Sequence, residues 1–213
     1  GNHVFPKHVG RCDHEHSCGY HFSPSDYFRE NPEESISLSR KHVITPKNLS
    51  VTIKEQLPSF IDRSIMEQTL SHYAINPLYT FLARCMGKAE ADRLCSLYRI
   101  GTSRKWGGSA VFWQVDCNGR VHTGKIMLYD AITGKRVKHP QPHVCWVHTE
   151  MRLKDYHLRQ CFFGEHLLSL YPDWKVFVVE SEKTAVIASH FMPDVLWVAT
   201  GGKNGCFNER AIS

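Results

Sequence analysis

A short run of strand-forming residues that ends in a carboxylate constrains this chain more than any other feature. Residues 176–179, Val-Phe-Val-Val, are all β-branched or aromatic, and Glu180 follows them directly. Such a run predicts a strand buried on both faces of a parallel sheet. Residues 184–188 then have a helical pattern, and residues 195–199 form a second strand candidate before a Gly-Gly turn at 201–202. The order predicts a βαβ unit with Glu180 at its carboxyl end, where ligands bind in open α/β sheets.

Three helices are predicted before residue 98. The first begins near residue 64, where Ser64 and Asp62 compete as the N-cap. The second begins at Asn76, which is followed by a proline, the residue favoured at the first helical position. The third is predicted over residues 89–97, where apolar side chains recur at helical spacing. These stripes are typical of a packed core rather than of a ligand site.

Beyond residue 98 the apolar pattern changes to a period of two, which indicates strands. Residues 110–115 and 120–129 form two strands, and the Asn-Gly pair between them is a strong hairpin signal. Residues 145–147 form a short strand, and residues 162–170 are predicted to be helical. The predicted fold is therefore α+β, with a helical region and an antiparallel β-rich subdomain followed by the βαβ unit.

The composition is that of an ordinary globular protein. The chain has 213 residues, of which 42% are hydrophobic and 22% are charged. No apolar run approaches the ~20 residues that span a bilayer, and the chain does not open with a signal-peptide pattern. The eight cysteines are too scattered for a disulfide framework. We therefore expect a cytoplasmic protein without a membrane partner.

Basic residues concentrate in one part of the chain. The formal net charge is +5, and residues 99–138 contain eight Lys or Arg against two Asp. Four aromatic residues are interleaved with these charges, namely Trp106, Phe112, Trp113 and Tyr129. This composition is typical of a surface that faces nucleic acid. It is equally explained by a β-meander whose solvent-facing residues are basic.

The first 24 residues are rich in histidine and cysteine. Cys12 and Cys18 are separated by five residues, whereas a structural zinc site takes four ligands. Histidines that could complete a zinc site are present, namely His3, His8, His14, His16 and His21. The alternative is a loop that binds no metal. Residues 25–57 are punctuated by prolines and read as a linker, apart from a short helix near Ser25.

Three segments, in order, resemble one known family. Residues 178–183, Val-Val-Glu-Ser-Glu-Lys, and residues 198–202, Val-Ala-Thr-Gly-Gly, resemble the opening half of a Toprim domain. This is the metal-dependent catalytic module of bacterial-type primases, topoisomerases and related nucleases. Residues 110–125 resemble the strand-turn-strand that precedes Toprim in those primases, and residues 161–167 resemble the connecting segment. Similar chains occur in mobile and conjugative elements of bacteria.

The resemblance implies a division of the chain into four parts. Residues 1–24 would be a partial zinc-ribbon head, and residues 25–57 a linker. Residues 58–160 would form the primase-type helical and β-rich subdomain, and residues 161–213 a truncated Toprim-like unit. The parent protein would synthesise RNA primers on single-stranded DNA from nucleoside triphosphates, with Mg²⁺ or Mn²⁺ as the metal. A helicase or mobilisation proteins would be its protein partners, and Zn²⁺ would occupy the head.

The resemblance also implies roles for individual residues. Glu180 would act as a general base or as a metal-linked carboxylate on the attacking 3′-hydroxyl, with Glu182 as a second, weaker metal candidate that could instead point to solvent. Phosphate groups of template or nucleotide would be held by basic residues, namely Arg120, Lys125, Lys183 and Lys203. The alternatives are structural: an acid at a strand end also serves as a helix cap or a solvated turn residue, and Ser181 could cap the next helix.

The chain departs from the family pattern at points that bear on catalysis. Ser181 replaces a usual glycine, and Thr184 replaces a usual aspartate. No Asp-x-Asp pair follows Gly205, although Toprim uses one to hold its metal. A single carboxylate is not enough for an octahedral Mg²⁺ site. We therefore expect a fragment that is inactive alone. The alternatives are a non-catalytic DNA-binding module of a mobile-element replication or mobilisation complex, and a Toprim nuclease.

Overall fold

A computed structural model describes residues 5–6, 8–11, 21–33, 56–202 and 205–206. The chain divides into two compact units, residues 1–54 and residues 55–213. We refer to them as the N-terminal unit and the C-terminal unit. No helix within the described ranges is long and apolar enough to cross a membrane.

The N-terminal unit contains a small β-hairpin and a helix. Strands β1 (Gly10–Arg11) and β2 (His21–Phe22) pair antiparallel. Helix α1 (Pro24–Glu30) begins where the Ser23 hydroxyl accepts a hydrogen bond from the Asp26 amide at 3.1 Å. The Asp26 carboxylate accepts in return from the Ser23 amide, and this capping box confirms the short helix predicted near Ser25. Most of the predicted linker lies outside the described residues.

Three helices open the C-terminal unit, as predicted. They are α2 (Arg63–Thr69), α3 (Pro77–Met86) and α4 (Lys88–Leu97). The N-cap of α2 is Asp62, whose carboxylate accepts a hydrogen bond from the Ser64 amide at 2.8 Å, so Asp62 rather than Ser64 starts this helix. Asn76 caps α3, as the Asn-Pro pair indicated. Single 3₁₀ turns span Tyr73–Ile75, Lys105–Gly107 and Glu165–Leu167.

A four-stranded antiparallel sheet follows. Its strands are β3 (Ile100–Ser103), β4 (Ser109–Val115), β5 (Val121–Met127) and β6 (Val144–Trp146), and they lie in that order. The predicted hairpin joins β4 to β5, with Gly119 at φ +79° and its amide 2.9 Å from the Asp116 carbonyl oxygen. Val147, predicted at the end of a strand, instead begins the short helix α5 (Val147–Glu150).

Both faces of this sheet are covered. Alternate residues of β4 pack into two separate hydrophobic clusters, with Phe112 in one and Trp113 in the other. Phe112 is 0% exposed, Trp113 is 1% and Tyr129 is 4%. The interpretation that these three aromatic rings face nucleic acid is therefore wrong. Phe112 and Trp113 belong to the core because every residue of β4 is buried, and Tyr129 packs in the same hydrophobic cluster as Phe112.

The predicted βαβ unit is present. Strand β7 (Val176–Val179), helix α6 (Glu182–Phe191) and strand β8 (Leu196–Ala199) follow one another, and β7 pairs parallel with β8. The Ser181 hydroxyl caps α6 by accepting from the Thr184 amide at 3.2 Å, the structural role that the sequence left open. The fold is therefore α+β as expected, with helices, an antiparallel sheet and a small parallel pair.

The predicted burial of β7 is wrong. Val176, Phe177 and Val178 are 45%, 42% and 47% exposed. Within the described residues β7 pairs with β8 alone, whereas β8 also forms an antiparallel bridge between Ala199 and Phe163. The parallel strand therefore lies at an edge of its sheet rather than in the interior.

The predicted helix over residues 162–170 is also wrong. Only a 3₁₀ turn forms there, because Phe163 pairs with β8 and Gly164 adopts φ +87°. A pairing with a distant strand and a left-handed glycine both interrupt a continuous helix.

Candidate functional site

A basic cavity of about 470 Å³ is the candidate site of the C-terminal unit. It lies between β5, the segment that follows it and the beginning of α6. Its walls are formed by Lys125, Met127, Tyr129, Lys135, Arg136, Lys138, His139, Glu180, Ser181, Glu182, Lys183, Gly201 and Gly202. Five of these residues are Lys or Arg and two are Glu, so the pocket carries an excess of positive charge. Such an excess concentrates anions.

Strand β5 supplies one wall through its alternation. Lys125 and Met127 are two residues apart, and Tyr129 follows at the same spacing, so their side chains lie on one face. Burial raises the pKa of Tyr129 and the nearby Glu182 carboxylate raises it further, which keeps the phenol neutral. Because Met127 and Tyr129 are buried, their packing holds the side chains of this wall in place.

Lys125 and Glu182 form a buried ion pair across the pocket wall. The Lys125 Nζ lies 2.8 Å from Glu182 Oε1, and the two side chains are 12% and 5% exposed. Lys125 also donates a hydrogen bond to the Gly201 carbonyl oxygen. Glu182 thus faces the sheet from the first turn of α6, contrary to the suggestion that it points to solvent. The two opposite charges of this pair cancel. The remaining charged side chains of the pocket are therefore the ones that can interact with a ligand.

Lys183 enters the pocket from the same helix and is held there. Its Nζ donates to the Gly134 carbonyl oxygen at 2.6 Å and lies 5.7 Å from the centre of the Tyr129 ring. Burial lowers the pKa of Lys183, and the positive charge of Arg136 adds to the effect. Lys183 and Glu180 thus line the same pocket, and the phosphate-binding role of Lys183 stays a prediction.

Glu180 lies at the carboxyl end of a parallel strand, as predicted, but that strand is an exposed edge strand rather than the buried one expected. It follows β7 directly, lines the pocket and is exposed. Its backbone oxygen accepts from the Gly201 amide at 3.0 Å, which ties the end of β7 to the glycine turn. Among the described residues no group donates a hydrogen bond to its carboxylate, so that carboxylate faces the pocket mouth without a protein partner.

Arg120 is not brought to the pocket. Its Nε lies 2.7 Å from the buried carboxylate of Asp116, and its guanidinium lies 4.8 Å from the centre of the Phe60 ring. The described structure thus uses Arg120 to close the hairpin after β4. Three further predicted residues, Lys203, Cys12 and Cys18, lie outside the described residues.

The pocket does not fit a resident magnesium or manganese ion. In the described part of the chain, no three His, Cys, Asp or Glu side chains gather as a metal site. Mg²⁺ requires an octahedral set of oxygen ligands. Glu182 already binds Lys125, so Glu180 is the single carboxylate that remains in this cavity. The expectation of a Mg²⁺ or Mn²⁺ cofactor has no support in this geometry.

The sequence analysis counted Lys135, Arg136 and Lys138 in a basic segment, but it named neither these three nor His139 as site residues. Lys135, Arg136, Lys138 and His139 follow a turn in which the Asp130 carboxylate accepts from two backbone amides. A bridge between Tyr129 and Arg136 then folds the segment back along β5. The Asp and Gly of residues 130–134 were a turn signal, and extending the alternation beyond that turn would have placed these side chains beside Lys125.

Comparison with known families places most of the chain. Residues 76–213 match the model of DUF6371, a domain of unknown function. Residues 1–33, which include the β1–β2 hairpin, match the model of a zinc beta-ribbon finger. No Toprim or primase family model matches, and neither the curated proteins nor the solved structures yield a match. Because the first match covers more than half of the sequence, the chain belongs to the DUF6371 family.

Proposed function

We propose that the C-terminal unit binds single-stranded nucleic acid, whose phosphate groups enter the basic pocket. One observation carries this proposal: after Lys125 and Glu182 pair with each other, four Lys or Arg side chains and a single carboxylate remain on the pocket walls. A nucleic acid presents one negative charge per phosphate, and cations that neutralise these charges release bound counterions. The charge balance therefore favours a polyanion.

The arrangement of the cations favours an extended ligand over a small one. Lys135, Arg136, Lys138 and His139 are all exposed and succeed one another along the rim. Lys183 lies deeper and is oriented by its hydrogen bond to Gly134. A chain of phosphates can contact the rim and the interior together, and the backbone contact of Lys183 reduces the entropy lost when it binds.

The resemblance to primases supplies the context for this binding. A non-catalytic DNA-binding module of a mobile-element replication or mobilisation complex fits the pocket, because it needs cations and no metal. In that context a helicase or a mobilisation protein would be its protein partner. This function requires only that the described pocket hold the phosphates of single-stranded DNA.

A second candidate is primer synthesis by a primase-like parent, and Glu180 favours it. Its carboxylate is exposed beside the basic residues at the carboxyl end of a parallel strand, without a protein partner among the described residues. A carboxylate so placed can accept the proton of an attacking 3′-hydroxyl. Nucleoside triphosphates and a DNA template would be its substrates. A primer-synthesis assay on the full-length parent, in which the parent makes product and Glu180→Gln yields as much, would exclude this role.

The binding proposal is tested with a fluorescently labelled thymidine oligonucleotide and the charge-reversed variant Arg136→Glu/Lys138→Glu. We expect its affinity to fall by about a hundredfold, because phosphate contacts are lost and repulsion replaces them. Arg63→Glu/Lys175→Glu is the matched control, since both residues are exposed and do not line the pocket. An equal loss of affinity in the control, or none in the pocket variant, contradicts the proposal.

For the N-terminal unit, the zinc beta-ribbon match supports a zinc site. Cys12 and Cys18 would be ligands, with histidines of the same segment as the remaining ones. We expect the purified protein to contain about one zinc ion per chain, measured by mass spectrometry of the metal, because such a site typically holds one ion. Cys12→Ser/Cys18→Ser should lose it, whereas Cys85→Ser, at an exposed cysteine of the C-terminal unit, should retain it. Wild-type protein that contains no zinc, or a Cys12→Ser/Cys18→Ser variant that keeps its zinc, would contradict this assignment.

A further inference from the structure

We propose that Trp146 is a stacking platform for an unpaired base of the ligand, positioned beside the phosphate pocket. The inference rests on the proposed function and adds to it a residue that distinguishes a nucleic acid from other polyanions. The ring that meets a base is therefore Trp146, and not the buried Phe112 or Trp113 of β4.

The pairing of β5 with β6 brings Trp146 to the pocket face. Trp146 lies directly opposite Lys125 in the antiparallel ladder, and residues that face each other in this way project from the same side of the sheet. The Lys125 Nζ lies 5.6 Å from the centre of the Trp146 ring. Because Lys125 is a pocket residue, the indole stands at the edge of the basic site.

The exposure of Trp146 suits a contact with a ligand. Trp146 is half-buried, whereas Trp113 is 1% exposed and its indole N–H donates to the Thr69 hydroxyl at 2.9 Å. Strand β6 is outermost in the four-stranded sheet, so among the described residues no further strand pairs with its outer edge. The Trp113 ring is therefore part of the hydrophobic core, whereas the Trp146 ring is partly exposed and can contact a ligand.

Two more rings extend the surface from Trp146. The His148 ring lies 6.2 Å from it, and the Tyr156 ring stacks on His148 at 5.2 Å with an interplanar angle of 8°. His148 is fixed by a 2.8 Å hydrogen bond between its Nδ1 and the Thr123 hydroxyl. The Tyr156 hydroxyl donates to the His122 carbonyl oxygen at 2.5 Å. The row is therefore ordered before any ligand binds, which lowers the entropy cost of stacking.

A row of aromatic rings beside a line of cations is the arrangement that binds single strands. Bases stack on the rings while the cations follow the phosphates, and every base offers a flat face, so little sequence preference is needed. In a duplex the bases are already stacked on one another and are not available to Trp146. The geometry thus commits the ligand to single-stranded nucleic acid.

The test compares two ligands of equal length and charge, a thymidine oligonucleotide and an abasic deoxyribose-phosphate oligomer. We expect Trp146→Leu, which keeps an apolar side chain but removes the flat ring, to weaken oligonucleotide binding about tenfold and abasic binding less than about twofold. Trp146→Phe should retain most of the affinity. Trp174→Ala, at a 39% exposed tryptophan outside the pocket lining, should change neither.

The outcomes separate the two claims. If Trp146→Leu leaves oligonucleotide binding unchanged, or weakens both ligands equally, the stacking role is overturned while phosphate binding stands. The stacking role is likewise overturned if the unaltered protein binds both ligands with the same affinity. If the unaltered protein binds neither ligand, the proposed function fails together with this inference. Thermal unfolding of each variant confirms that the compared proteins are folded.

Discussion

Strands β4 and β7 have similar sequences and opposite surroundings. Residues 110–113 and residues 176–179 are both continuous runs of apolar residues, yet β4 is buried along its whole length and β7 is nearly half exposed. The difference lies in position. β4 has strands on both edges and a hydrophobic cluster on each face, whereas β7 has β8 on one edge among the described residues. An apolar run therefore predicts a strand, but its neighbours decide whether it is buried.

The largest expected effect comes from comparing the central phenylalanine of each strand. Phe112→Ala should lower the free energy of unfolding by about 4 kcal/mol, because it leaves a cavity in a closed core. Phe177→Ala should cost about 1 kcal/mol, since its ring is 42% exposed and stacks on Trp197. Urea denaturation measures both. Equal losses would show that β7 is as buried as β4.

The next largest effect concerns the ion pair that β5 makes with α6. Lys125→Met should lower the free energy of unfolding by about 3 kcal/mol, because it leaves the Glu182 carboxylate buried without a partner. The double variant Lys125→Met/Glu182→Leu should recover most of the loss. Lys88→Met, which breaks an exposed pair with Asp92, should cost far less, because solvent screens that pair. If the double variant is no more stable than Lys125→Met, the pair is not the source of the loss.

A smaller effect is a pH dependence of the free energy of unfolding, and it involves His166 in the 3₁₀ turn Glu165–Leu167. Burial lowers the pKa of His166 to about 4, and its Nε2 donates to the Leu97 carbonyl oxygen at 3.0 Å. The unfolded chain binds this proton near pH 6.5 and the folded chain near pH 4. The stabilisation is therefore complete above pH 6.5 and is lost as the pH falls towards 4.

Replacing His166 sharpens this test. His166→Gln should reduce the loss of stability between pH 6.5 and pH 4, even if it is less stable at neutral pH. His157→Gln, at an exposed histidine, should keep the wild-type profile. Denaturation midpoints across this pH range measure the difference, and parallel profiles for the wild type and His166→Gln would contradict the assignment.

Local signals in the sequence were sufficient for many of these elements. The Asn76 cap, the Asn118-Gly119 hairpin and the order of β7, α6 and β8 each depend on a few neighbouring residues, and the structure has all three. Caps and tight turns are set by backbone hydrogen bonds within a few positions. Such features are readable from a single chain.

Features that join distant segments were not predicted. Glu182 meets Lys125 across 57 positions, and the bridge between Phe163 and Ala199 interrupts the helix that was predicted over residues 162–170. The exposure of β7 depends in the same way on which strands lie beside it. No periodicity or spacing contains this information, because it arises only when the sheets and helices pack.

The salt dependence of binding tests the central claim most directly. With four cations in contact with phosphates, the logarithm of the affinity for a thymidine oligonucleotide should fall against the logarithm of salt concentration with a slope of about −3. Arg136→Ala/Lys138→Ala removes two contacts and should make the slope shallower by about 1.4. A wild-type slope near zero, or an identical slope in the variant, would contradict phosphate binding by this pocket.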